Sequence, residues 1–153
     1  MSEYRRILAV VDFDDAGARA ARRAFNLARS MDAELALLHL VEPDPNPDGG
    51  YPPPSRVELA HGYESAALRR LAFMSGSIGA DGGTLLARYG APAQNFAAVV
   101  GDWHPDLVVA ASDPGFLDGR HDLLLIGRQN GRRGWLRRWL DHLLAPAWRP
   151  GAA

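Results

Sequence analysis

The strongest constraint in this chain is a pair of continuous apolar runs separated by one helical stretch. Ile7-Leu8-Ala9-Val10-Val11 ends in Asp12, a helical segment runs from Ala16 to Met31, and Leu35-Ala36-Leu37-Leu38-His39-Leu40-Val41 ends in Glu42. Runs without polar alternation suit strands buried on both faces, and a single intervening helix is the crossover that joins parallel strands. Within the helix, Ala21, Ala24, Phe25 and Ala28 form a stripe at helical spacing, small enough to let the helix approach a sheet closely. Asp14 and Asp15 stand before its first turn, where negative charge is favoured. Open sheets of this kind bind ligands outside the carboxyl ends of their strands, where strand order reverses. Asp12 stands at such an end.

The same grammar continues downstream. Ser55 and Glu58 form a capping-box pattern that opens a helix running to about Ser77 through Leu59, Tyr63, Ala67, Leu68, Leu71 and Met74. Thr84–Tyr89 reads as a third strand. Gly90-Ala91-Pro92 turns into a helix through Phe96, Val99 and Val100, and Pro105-Asp106 opens a fourth strand, Leu107-Val108-Val109-Ala110-Ala111. Between Glu42 and Pro54, proline and glycine are too dense for regular structure, which predicts either a solvated loop or a lid over a site. The expected fold is one α/β domain over residues 1–153, a three-layer sandwich around a mostly parallel sheet.

At 153 residues the chain is long enough for a real core, and its net charge of −1 offers no global attraction for nucleic acid. Cysteine is absent, which removes disulfides and thiolate catalysis. No apolar run reaches the length of a membrane span, and the first strand follows Met1–Arg6 directly without a signal-peptide pattern, so the cytoplasm is the expected compartment. All 17 basic residues are arginine, which reads mainly as codon bias. The five histidines show no metal-ligand spacing, and no nucleophile elbow or complete Walker-type loop appears, so no catalytic residue and no metal site is assigned.

These phrases, in this order and spacing, resemble the universal stress protein family across roughly residues 4 to 112. The resemblance rests on Ile7–Asp12, Leu38-His39-Leu40-Val41, Tyr89-Gly90-Ala91-Pro92 and Pro105-Asp106-Leu107-Val108-Val109. It implies a five-stranded sheet of order 3-2-1-4-5, a homodimer, and an adenine nucleotide such as ATP or AMP held at Asp12 and at the backbone near Val41. For Asp12 the residues alone leave two roles open: contact with a ligand, or satisfaction of amides at the start of the helix.

The last third departs from the family pattern. In the family a phosphate-cradling Gly-x-x-Gly follows the fourth strand, with Gly-Ser or Gly-Thr further on. Here Ser112 is followed by Asp113-Pro114-Gly115-Phe116-Leu117-Asp118-Gly119, which lacks that pattern and carries two acids that would repel a triphosphate. A second strand-like phrase, Asp122-Leu123-Leu124-Leu125-Ile126-Gly127, precedes Gly131-Arg132-Arg133-Gly134, but Leu144-Ala145 stands where Gly-Ser is expected. The resemblance therefore carries the nucleotide contacts onto Asp12, Val41, Gly127, Gly131, Arg132, Arg133 and Gly134, with one phosphate-binding turn missing and weak affinity expected.

The short connector Asp113–His121 argues for Leu123–Ile126 pairing antiparallel at the sheet edge, because parallel crossovers usually take about a dozen residues or more. A final helix from Gly134 to about Ala145 presents Trp135, Leu136, Trp139, Leu140, Leu143 and Leu144 on one face. It covers the sheet, docks a partner or, least favoured for so short a helix, contacts a membrane interface, while Arg132, Arg133, Arg137 and Arg138 are solvated or Arg132 and Arg133 hold an anion. Two functions follow: a stress-associated regulatory protein that binds an adenine nucleotide without catalysis, or a nucleotide-independent dimeric interaction module.

Overall fold

The computed structural model describes residues 4–43, 55–113, 115–116 and 121–127. Five strands, β1 (Arg6–Val10), β2 (Glu34–Val41), β3 (Thr84–Tyr89), β4 (Leu107–Ala110) and β5 (Asp122–Leu125), form one sheet in the order β3-β2-β1-β4-β5. Three helices connect them: α1 (Asp15–Met31), α2 (Arg56–Ile78) and α3 (Pro92–Trp103). Every strand pair is parallel, with registers such as Ala9↔Leu37 and Ala9↔Val109 fixing β1 at the centre.

The alternation of side chains along each strand divides the core into two layers. Ile7, Ala9, Leu37, Leu107, Val109 and Leu124 face α1 and α2, where Ala20, Ala21, Ala24, Leu71 and Met74 are buried against them. Leu8, Ala36, Leu38 and Val108 face the opposite side, where Phe96 and Val99 of α3 cover them. The alanine stripe of α1 is wholly buried, so the helix sits close to the sheet. Ser55 caps α2: its hydroxyl accepts from Glu58 N, and the Glu58 carboxylate accepts from Ser55 N. Gly90, at φ 130°, makes the turn into α3, whose first residue is Pro92.

β5 corrects one expectation. It runs parallel to β4, pairing Leu107↔Asp122 through Ala110↔Leu125, and not antiparallel. The connector argument failed because it borrowed a length that belongs to crossovers containing a helix. Each of these strands has only four residues, roughly 13 Å of chain. The 11 residues between Ala110 and Asp122 reach up to roughly 36 Å when extended, enough to return along such a strand and step sideways. The parallel edge is fixed at both ends. Tyr4 Oη donates to the Asp122 carboxylate at 2.7 Å, and Ile126 N donates to Ala110 O at 2.7 Å. The expected helix from Gly134 to Ala145 lies outside the described residues.

Candidate functional site

The strand order reverses at β1, whose neighbours β2 and β4 lead to opposite halves of the sheet. The carboxyl ends of β1, β4 and β5 open onto a cavity of about 430 Å³, lined by Asp12, Asp14, Ser112, Asp113, Leu125 and Gly127 among others. Two larger depressions lie elsewhere. One of about 630 Å³ runs between the start of α1 and α2 beside Phe13, Arg70 and Phe73, and one of about 480 Å³ sits at the amino ends of β2 and β3. The first shares Asp14 with the switch-point cavity but opens on the α1–α2 face of the sheet, and the second lies at the opposite, amino ends of the strands.

The turn from β1 into α1 decides which acid is available. Val11 N donates to Leu38 O at 2.9 Å, carrying the β1 ladder just past the strand. Asp14 is the N-cap of α1: its Oδ1 accepts from Gly17 N at 2.7 Å. Capping therefore falls to Asp14, and the Asp12 side chain stays 80% exposed. The turn is this tight only because residue 17 is glycine. A Cβ there would fall on the carbonyl oxygen of Asp12, and within 2.8 Å of its carbonyl carbon and nitrogen.

His39 braces the corner from β2. Its Nδ1 lies 2.8 Å from Val11 O, a distance that calls for a proton on Nδ1, and 3.7 Å from Asp12 Oδ1. The imidazole is in ring contact with Phe13 at 4.3 Å between centroids, and the Arg70 guanidinium lies 4.1 Å from the Phe13 centroid. His39 is thus a satisfied strand-end residue that holds the backbone bearing Asp12. Asp113, on the far side of the cavity, accepts from Gly115 N at 2.8 Å, and Phe116 next to it packs on Phe96 at 5.2 Å.

Of the residues singled out from the sequence, Asp12 and Gly127 come together in this cavity. Val41 sits at the end of β2, and its carbonyl accepts from Gly90 N at 3.0 Å, so that oxygen is turned toward β3. Gly131, Arg132, Arg133 and Gly134 lie outside the described residues. Sequence reasoning missed Gly17, Ser112 and the cap assignment of Asp14. The signal for Gly17 was present: a lone glycine among alanines in a helical stretch costs about 1 kcal/mol against alanine, so it usually has a packing reason. Among the described residues no group of three histidine or acidic side chains is arranged to hold a metal ion.

A parallel sheet wound on both faces, with an exposed acid at its switch point, defines a doubly wound α/β protein. The family assignment is narrower: the model of the universal stress protein family matches residues 3–142, and the chain belongs to that family. Solved structures agree on the fold. A universal stress protein family member from Burkholderia pseudomallei matches with a TM-score of 0.62 at 21% identity, over 82% of this chain and 98% of that one. Universal stress protein UspA from Lactobacillus plantarum matches with a TM-score of 0.55 at 22% identity, over 82% and 99%. A universal stress protein in complex with cAMP matches with a TM-score of 0.53 at 19% identity, over 80% and 96%. No curated protein sequence matches.

Proposed function

We propose that this chain is a stress-associated regulatory protein that binds an adenine nucleotide at the carboxyl ends of β1, β4 and β5, without catalysing a reaction on it. The observation that carries this reading is the release of Asp12 from capping. An exposed carboxylate at the mouth of a switch-point cavity, with its backbone braced by His39, is placed to accept hydrogen bonds from ribose hydroxyls. The similar fold with bound cAMP supports an adenine ligand. The Leu38 carbonyl faces β1 and the Val41 carbonyl faces β3, so by alternation the peptide edge of Leu40 is turned to the β1 side of β2. We assign adenine recognition to this stretch, Leu40 to Val41, and phosphate contact to the segment after Gly127, through Gly131, Arg132, Arg133 and Gly134.

A second reading is a nucleotide-independent homodimeric interaction module in the cytoplasm, and the acidic lining of the cavity favours it. Among the described residues no helix is long and apolar enough to cross a membrane. Native mass spectrometry of the purified protein, followed by calorimetry with adenosine, separates the two readings. Retained adenine nucleotide, or adenosine binding abolished by Asp12→Ala, supports the first. Absence of binding for every adenine compound, with a dimer by light scattering, supports the second.

A further inference from the structure

Helix α2 carries apolar side chains on two faces. Ala67, Leu71 and Met74 are buried in the core. On a neighbouring stripe Ala66, Arg69, Phe73 and Ser77 recur at three- and four-residue steps, and all four line the groove of about 630 Å³ between α1 and α2. Phe13 and Ala18 form its other wall, and Phe73 stands 82% exposed at the rim. The two walls carry opposite charge, Asp14 and Asp15 at the start of α1 against Arg69 and Arg70 on α2. Asp14 is engaged as the helix cap, and Arg70 lies over the Phe13 ring at 4.1 Å. Asp15 and Arg69 are exposed, one on each wall.

One patch therefore holds a projecting ring, a groove to receive such a ring, and charges of both signs. That is self-complementarity, the requirement of an isologous two-fold interface, in which residue i meets j and j meets i. Phenylalanine, methionine and arginine are also side chains that interface cores concentrate. A net charge of −1 puts little repulsion between two copies. We propose that a second copy of this chain docks in the groove, with the two α2 helices antiparallel. Phe73 of each copy is seated in the groove of the other, and Asp15 pairs with the partner's Arg69. Docking here is independent of whether the switch-point cavity takes a nucleotide.

The test is analytical ultracentrifugation of the full chain over a dilution series, with Phe73→Ala, Asp15→Arg and Arg69→Asp beside the parent. The parent should dimerise. Phe73→Ala should raise the Kd about thirtyfold or more, as loss of a hot-spot aromatic does. Asp15→Arg and Arg69→Asp should each associate about tenfold more weakly alone, because the two-fold axis turns both pairs into like charges. Mixed together, these two variants should recover to within about threefold of the parent, since opposite charges then meet at both pairs. Pairing within one chain cannot produce that recovery. A parent that stays monomeric overturns this dimer, and so does a mixture no tighter than its components. A dimer that none of the substitutions weakens overturns the assigned surface and leaves the interaction-module reading standing. A Phe73→Ala protein that loses Tm while monomeric also overturns it, the result expected if the chain's own residues fill the groove.

Discussion

Replacing Gly17 with alanine should destabilise the protein, although the same change in a helix normally stabilises it. Residue 17 lies in the first turn of α1, where alanine gains about 1 kcal/mol over glycine in helix propensity. Against this, the new Cβ would meet the carbonyl oxygen, carbon and nitrogen of Asp12, with the latter two only 2.7 and 2.8 Å away. Overpacking against side chains costs about 1–3 kcal/mol, and here every nearest neighbour is backbone, so the upper end applies. The net loss is then about 2 kcal/mol, which for a domain of this size lowers Tm by about 4–8 °C. The control is Gly62→Ala in α2, where a Cβ meets nothing within 4 Å. That variant should gain about 0.4–1 kcal/mol. Thermal and urea unfolding of the two variants beside the parent decide the matter. A Gly17→Ala protein as stable as the parent, or a Gly62→Ala protein weakened to the same degree, would refute the close approach of α1 to the end of β1.

Further outcomes follow from the same corner and from the helix starts. Asp14→Ala should cost about 0.5–2 kcal/mol as a lost cap, whereas Asp12→Ala should leave Tm unchanged and remove adenosine binding; the reverse pattern in unfolding and calorimetry would mean that the cap is misassigned. Asp106, whose carboxylate accepts from both Arg5 N and Arg6 N at 2.8 and 2.9 Å, ties the start of β4 to β1. Asp106→Ala should cost about 1–3 kcal/mol by urea unfolding, and a loss below measurement would show these bonds are replaced by water. The Glu58 carboxyl is held below its usual value of 4.5, first by the amide of Ser55 and then by its hydroxyl. With the folded value depressed, its support for α2 is complete above the unfolded value and is lost as pH falls through the folded one. The Ser55 amide resonance should therefore titrate on the acid side of 4.5 in the parent and stay flat in Glu58→Gln.

The fold was legible because buried parallel strands and their crossovers leave a strong local record. Ile7–Val11 and Leu35–Val41 are apolar runs interrupted only by His39, the Ala21/Ala24/Ala28 stripe repeats at helical spacing, and Ser55 with Glu58 marks a helix start to the residue. The direction of β5 was not legible. Direction depends on how far a connector must travel, and that distance is set by strand lengths, which only four paired residues on each side reveal. The candidate site, a cavity edged by Asp12 and Gly127, was legible in part. A strand-end acid is visible in sequence, but whether it caps its own helix or stays free depends on which nearby acid meets the first amides, and Asp12, Asp14 and Asp15 all lie within reach along the chain.

Geometry resolves that ambiguity in favour of Asp12, and Gly17 is the reason. By letting α1 start directly against the Asp12 carbonyl, Gly17 brings its own amide to Asp14 at 2.7 Å, so the cap is taken by the acid two residues nearer the helix. The Asp12 side chain is then left 80% exposed at the cavity mouth. A glycine thus determines which of the two carboxylates stays free of the cap and exposed at the cavity. The same close turn keeps Asp14 at the cavity edge beside Asp12. A Gly17→Ala protein that remains folded at low temperature should bind adenosine more weakly than the parent, because the turn that leaves Asp12 exposed is displaced. Undiminished adenosine affinity in that variant would show that the turn does not set the availability of Asp12.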